Sequence, residues 1–278
     1  MDIRIFTADD IEFAAGLTHS EGWLSETPEV FHDFYHYRPD GCFIAEEEGR
    51  RVGMVVAAPY GRDGFIGELI VHPEWRGAGR GKALMAHAIA FHTASGVKNV
   101  YLDGVLAAVP LYERLGFRKI CRSLRFSGKL SGEKTAPVEK MLEDDLPEVI
   151  RLDHFSFGAD RSFFLRQKWF RSQDTCFVYR TGGRINGFLM ASKNRIISVG
   201  PWVQEHSSDD PALLLALAAA IRGERLRLGV LESNKQAADM LIALGLELDL
   251  DSPWRMVLGQ RGLGEAHTCL AIGSAASG

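Results

Sequence analysis

The chain has 278 residues, 46% hydrophobic and 24% charged, the make-up of an ordinary globular protein with one large or two ordinary domains. Its formal net charge of −4 argues against a nucleic-acid backbone as the partner. The longest apolar run, Ala212 to Ile221, is too short to cross a bilayer and reads as a buried helix, so no membrane partner is expected. Cys42, Cys121, Cys176 and Cys269 are scattered, with no C-x-x-C pair and no histidines at ligand spacing. They read as reduced thiols, no metal site is indicated, and with no export signal a cytoplasmic location is expected.

In chain order, Thr7-Ala-Asp-Asp-Ile-Glu-Phe opens a first helix through its acidic residues. Trp23, Phe31, Phe34, Tyr35 and Tyr37 cluster before the first strand, where helical core packing accounts for most such aromatics. Gly49 to Ala57 is a turn followed by a strand. A second apolar strand, from Ile66, ends at Val71, where Pro73 blocks its continuation. Strand alternation puts Glu68, Ile70 and His72 on one face.

A loop with Gly77, Gly79 and Gly81 then feeds into an amphipathic helix over 79–93, with Leu84, Met85, Ala88, Ile89 and His92 on one side. The loop gathers backbone N–H groups from Arg76 to Lys82 at a helix N-terminus, where orphan donors and the helix dipole together favour an anion. The glycines let the backbone approach it, and Arg76, Arg80 and Lys82 add positive charge. The spelling excludes two common phosphate loops. Ala83 follows Lys82 where a triphosphate loop needs Ser or Thr, and Leu84 stands where a dinucleotide loop needs glycine. Val97 to Asp103 reads as a strand, and Val109 to Phe117 as a short helix closed by Gly116.

Many of these features return at an offset of ~130 residues, right for a duplicated domain. Leu142-Glu-Asp-Asp echoes the opening helix, Gly183 to Ala191 echoes Gly49 to Ala57, and Leu244-Gly245-Leu246 echoes Leu115-Gly116-Phe117. The polar stretch from Ser127 to Pro137 marks the boundary, which predicts domains at 1–128 and 136–278 joined by a linker at 129–135. The counterpart of the glycine loop, Val199 to Ala212, carries Glu205, Asp209 and Asp210 where an anion would bind. Ser208 or Asp209 is expected to cap the next helix, with Pro211 in its first turn.

Arg76-Gly-Ala-Gly-Arg-Gly81 resembles the Q/R-x-x-G-x-G/A loop of the GNAT superfamily of acyl-CoA-dependent N-acetyltransferases, and Leu111-Tyr-Glu-Arg-Leu-Gly-Phe117 resembles the signature near the end of GNAT domains. Glu21-Gly-Trp23, Phe157 to Ser162, Gly200-Pro-Trp202 and Arg255 to Gly259 extend the resemblance to a bacterial tandem-GNAT, YitH-like subfamily. The resemblance implies an α/β fold of two tandem domains, each a mixed, mostly antiparallel sheet flanked by helices, with a catalytic first domain and a degenerate second one.

It further implies acetyl-CoA as cofactor, its pyrophosphate held by the amides of Arg76, Gly77, Ala78, Gly79, Arg80, Gly81 and Lys82. Its pantetheine arm would pair with Leu69 and Val71 as an added strand. The expected activity is acetyl transfer to a primary amine of a small molecule by direct attack on the thioester. Tyr112 is the expected acid for the leaving thiolate, and Glu68 the candidate base for the acceptor's proton. The bland reading of Glu68 is a solvent-facing strand residue or one paired with an arginine; that of Tyr112 is a ring packed under its helix. Val105 stands where relatives commonly carry asparagine. Trp23 and Asp103, with Glu21, are candidates for the acceptor side. Asp160-Arg161 is either a helix-opening cap with an ion pair or a wall of the acceptor pocket. Because the two domains form a pseudo-dimer, a monomer is expected. A longer acyl or aminoacyl donor, or a coenzyme-A-binding sensor without catalysis, are the alternatives.

Overall fold

The computed structural model describes residues 1–133, 137–205, 210–260 and 267–278. The chain divides into two compact units. Of the described residues, the first holds Met1–Lys119, residues 256–260 and Ser277; the second holds Ile120–Arg255, residues 267–276 and Gly278.

In the first unit, strand β1 (Asp2–Ile5) leads through helices α1 (Ile11–Ser20) and α2 (Pro28–Tyr37) into an antiparallel run of β2 (Cys42–Glu47), β3 (Arg50–Tyr60) and β4 (Asp63–Val71). Helix α3 (Arg80–Ala94) crosses to β5 (Asn99–Gly104), which is parallel to β4, and α4 (Val109–Arg114) follows. The helix predicted over 79–93 is therefore present, and Leu84, Met85, Ala88 and His92 are its buried positions. Two glycines let α3 lie close to the sheet. A Cβ at Gly53 would sit 3.3 Å from Leu84 Cδ1, and one at Gly64 would sit 2.6 Å from the His92 ring. His92 lies wholly buried with its Nε2 3.1 Å from the Phe65 carbonyl, and burial pulls its pKa down to about 4, so it is a neutral core residue.

The second unit repeats the order. It takes up most of β6 (Arg118–Lys129), then β7 (Val138–Lys140), α5 (Leu146–Phe157), α6 (Ser162–Ser172), β8 (Cys176–Thr181), β9 (Arg184–Lys193) and β10 (Ile197–Gln204). Helix α7 (Ala212–Ala220), β11 (Arg225–Leu231), α8 (Lys235–Ala243), β12 (Glu247–Asp249), β13 (Trp254–Leu258) and β14 (Cys269–Ala271) complete the chain. The apolar run that forms α7 is core, with Leu213, Leu214 and Leu217 fully buried. Local chemistry is duplicated too. Asp10 accepts the Thr7 amide at 2.8 Å and Asp145 accepts the Leu142 amide at 2.9 Å, so one carboxylate folds the same turn before α1 and α5.

The division lies one strand earlier than the linker expected at 129–135. Arg118–Lys129 is an unbroken strand, and Ser123–Lys129 pair with β11 in the second unit. The Ser-Gly-Lys stretch that reads as a loop is strand because Gly128 makes room for Leu246, whose Cδ2 would lie 2.7 Å from an added Cβ. In return, Met256–Leu258 belong to the first unit, where β13 pairs with β5. Ser208 and Asp209 lie outside the described residues; Asp210 accepts the Ala212 amide at 2.9 Å and closes the start of α7.

Candidate active site

Strand β4 is not regular. Gly67 pairs with Val56 and Ile70 with Met54, so β4 carries one extra residue opposite Val55, and Glu68 there takes φ +54°. This bulge corrects simple alternation. Ile66, opposite Ala57, and Ile70, opposite Met54, now face opposite sides of the sheet, although their spacing alone would put them together. Glu68 is not solvent-facing. It is 5% exposed, and among the described residues it forms no salt bridge and its Oε2 has no hydrogen-bond partner. Burial first, and then the charge of Glu26, raise its pKa well above the carboxylate range. A left-handed, buried, unpartnered carboxyl is costly to folding, which is the pattern of a functional group.

After Val71 the chain makes one tight turn over Pro73–Trp75 and enters the glycine loop. Gly77 and Gly79 have φ of +89° and +81°, and nothing lies within 4 Å of where either Cβ would be. The first helical bond of this end runs from the Ala83 amide to the Gly79 carbonyl at 3.0 Å. Among the described residues, the amides of Gly77, Ala78, Gly79, Arg80, Gly81 and Lys82 donate to no protein acceptor. They are an open set of donors at the positive end of a 15-residue helix.

The cationic side chains divide differently from expectation. Arg80 turns back to grip Glu47 through Nε at 2.6 Å and Nη2 at 2.7 Å, gives Nη1 to the Trp75 carbonyl at 3.0 Å, and lies over the Trp75 ring. Its guanidinium is committed to holding the loop, which leaves its amide as its contribution to an anion. Arg76 bonds the Val71 carbonyl at 2.9 Å and forms an ion pair with Glu21. Lys82 is exposed.

Strand, loop and tyrosine helix converge at Gly81. A Cβ there would be 3.8 Å from both Val71 Cγ2 of β4 and Leu111 Cδ2 of α4. Tyr112 follows Leu111. Its ring packs edge-on against Phe117 and beside Gly104, where a Cβ would come within 2.9 Å of it. Burial pushes the Tyr112 phenol up to about 12, so it keeps its proton. Strands β4 and β5 pair only over Asp63–Phe65 and Asn99–Tyr101. Beyond that, among the described residues, no strand fills the space between them, and the β5-facing edge from Ile66 to Val71, with Leu69 on it, lies open.

Of the aromatics before the first strand, Phe31 and Phe34 are core residues at 1% and 3% exposure, so helical packing accounts for them. The Tyr37 hydroxyl donates to the Pro59 carbonyl, whereas Trp23 and Asp103 are half-buried. Glu21 is taken by Arg76. The residues that sequence reasoning missed are Glu26, whose charge reaches Glu68, and Glu47, which holds Arg80. Neither sits in a motif; only the tertiary fold brings Glu26 to the bulge and Glu47 to the loop. In the second unit, Asp160 opens α6 by accepting the Ser162 amide at 2.8 Å, and Arg161 pairs with the buried Asp153, as the bland reading held.

Comparison with known proteins gives consistent results. The profile of the Acetyltransferase (GNAT) family matches residues 8–117, and that of an Acetyltransferase (GNAT) domain matches residues 149–270. The mycothiol acetyltransferase of Thermobispora bispora is 41% identical over 93 residues, 30% of this chain and 32% of that protein. The glucosamine 6-phosphate N-acetyltransferase of Trypanosoma brucei brucei is 34% identical over 90 residues, 30% of this chain and 61% of that protein. Less than two thirds of either relative's length is therefore covered. A protein of Pyrococcus horikoshii, solved as a candidate acetyltransferase, superposes with a TM-score of 0.83 over 100% of this chain and 95% of its own, at 22% identity. That likeness shows the fold.

Proposed function

The chain belongs to the GNAT acetyltransferase family and carries two such domains in tandem, and from this premise we propose that its first domain transfers an acetyl group from acetyl-CoA to a primary amine of a small molecule. The observation that carries the reading is the row of unpartnered amides from Gly77 to Lys82, together with a buried carboxyl at Glu68 that has no partner among the described residues. The residues present fit the cofactor. The amides and the two positive-φ glycines suit a pyrophosphate, and the open edge of β4 suits an extended arm that bonds as a strand does.

When bound, acetyl-CoA supplies the acyl group already activated as a thioester. The rest is proton traffic by this chain's own groups. An amine is protonated at neutral pH, so it must lose a proton before it attacks. Glu68, with its raised proton affinity, accepts that proton at Oε2, directly or through one water. Tyr112 holds its proton at Oη for the leaving sulfur, and its upward shift keeps it a donor across the working range. Arg80, Glu47 and Arg76 fix the loop, so the donors are positioned before the ligand arrives.

The test is thermal. Acetyl-CoA at 100 times its Kd should stabilise the chain by about 2.7 kcal/mol. Gly79→Asp, which places a carboxylate among the donors, should abolish the shift. A wild-type melting curve indifferent to both acetyl-CoA and coenzyme A sinks the loop assignment. Thiol release with a panel of amines, starting from glucosamine 6-phosphate because one relative is named for it, then identifies the acceptor.

A further inference from the structure

The bulge in β4 has a twin. In β10, Val199 pairs with Ala191 and Trp202 with Leu189, so one extra residue enters at Gly200-Pro201. Register equates Gly67 with Val199, Glu68 with Gly200 and Ile70 with Trp202. The parallel pairing of β10 with β11 likewise stops early, at Ile197–Val199 with Leu226–Leu228. The second domain therefore opens the same groove between its central strands. In this copy the groove is filled by the chain itself.

Strand β14 runs antiparallel along β10, with Ala271 opposite Trp202 and Cys269 opposite Val203. The Gln204 amide donates to the Thr268 carbonyl at 3.0 Å. On the far side, the Ile272 amide donates to the Gly229 carbonyl of β11 at 2.9 Å, so the segment bridges both strands. Asn234, at the head of α8 and 5% exposed, donates Nδ2 to the carbonyls of His267 at 3.3 Å and Cys269 at 3.0 Å. Leu270, Ala271 and Ile272 are buried. Arg161, held by Asp153, donates to the Gly278 carbonyl and anchors the tail beyond. The closest approach is at Gly200. Its Cβ would lie 1.9 Å from the Ile272 carbonyl oxygen, so the place where the first domain carries its carboxylate must be bare here.

We infer that the groove between β10 and β11 is a binding site for an extended peptide strand, and that residues 268–272 of the same chain are its ligand, in the place where a pantetheine arm would lie. Backbone pairing along both strands supplies the recognition, as in strand addition between proteins. Covalent tethering gives the segment an effective concentration of about millimolar, which a free cofactor cannot readily overcome. Loss of the glycine loop and gain of the tail then describe one change: the second domain exchanged a diffusible ligand for a fixed one.

Hydrogen exchange on the full-length chain tests this. The Ile272 amide should exchange at least about 10³-fold slower than in a free peptide, in step with the amides of β10 and β11. Gly200→Val should cut the protection of residues 268–272 at least about tenfold, while the first domain keeps its acetyl-CoA affinity. If Gly200→Val does not fold, the wild-type measurement still decides. Free-peptide exchange at Ile272 within an otherwise protected second domain overturns the inference. So does calorimetry showing two coenzyme A molecules bound per chain.

Discussion

Glu68 and Tyr112 are tuned in the same direction for complementary reasons. Both lose water, and both hold their protons more tightly; in the proposed reaction one receives a proton from the acceptor and the other gives one to the sulfur. For Glu68 this has a stability cost with a definite sign. The folded state keeps its proton to higher pH than the unfolded state does, so stability falls as pH rises from the carboxylate range toward the raised value. Glu68→Gln should therefore melt higher than wild type at neutral pH and match it at acid pH, while losing about 10²-fold or more in turnover. A variant that melts lower at neutral pH would show that the carboxylate is structural. Tyr112→Phe should slow thiol release by about 10²-fold and leave coenzyme A affinity unchanged. Unaltered turnover would remove the phenol from the chemistry. Glu26 is part of the same unit. Because its charge helps to raise Glu68, Glu26→Gln should move the acid limb of kcat/KM to lower pH.

Among the elements, the join between β4 and α3 does most to define the site, and its logic was only half legible in the sequence. Glycines at 77 and 79 announce positive φ and open approach, and Pro73 announces the end of a strand; both signals act within a few residues and so survive in a single chain. The bulge left no such mark. Glu68 takes its left-handed turn because β3 and β4 are out of step by one residue, a fact about pairing across the hairpin and not about Glu68 itself. The Arg80–Glu47 pair spans 33 residues and was invisible for the same reason, so nothing in the sequence showed that the Arg80 side chain grips Glu47. If this grip is a brace, Glu47→Gln should raise the KM for acetyl-CoA and leave that for the amine nearly unchanged. Steady-state kinetics with each substrate varied in turn separates the two. Equal effects on both would mean that the pair supports the whole domain.

For the molecule as a whole, duplication was legible from the repeated turns, strands and helix ends, because each copy keeps its own local chemistry. Which strands belong together was not. A strand's partners are chosen by burial and pairing over distances that no local pattern reports, and the end of β6 reads as a polar boundary although it pairs with β11 in the second unit. A fragment ending at the expected boundary, residue 128, should therefore fail to give a stable first domain, since it keeps β6 without β11 and lacks the strand that pairs with β5. Circular dichroism melting of the fragment 1–128 checks this; a cooperative transition at the full-length temperature would refute it.

That exchange of strands sets a timetable. As the chain leaves the ribosome, the first domain's helices and β1–β5 emerge early, but the strand that flanks β5 is made only after nearly all of the second domain. Vectorial synthesis usually lets an N-terminal domain finish first. Here the half that carries the glycine loop must wait for residues 256–258, so a nascent or truncated chain has no complete first domain to release.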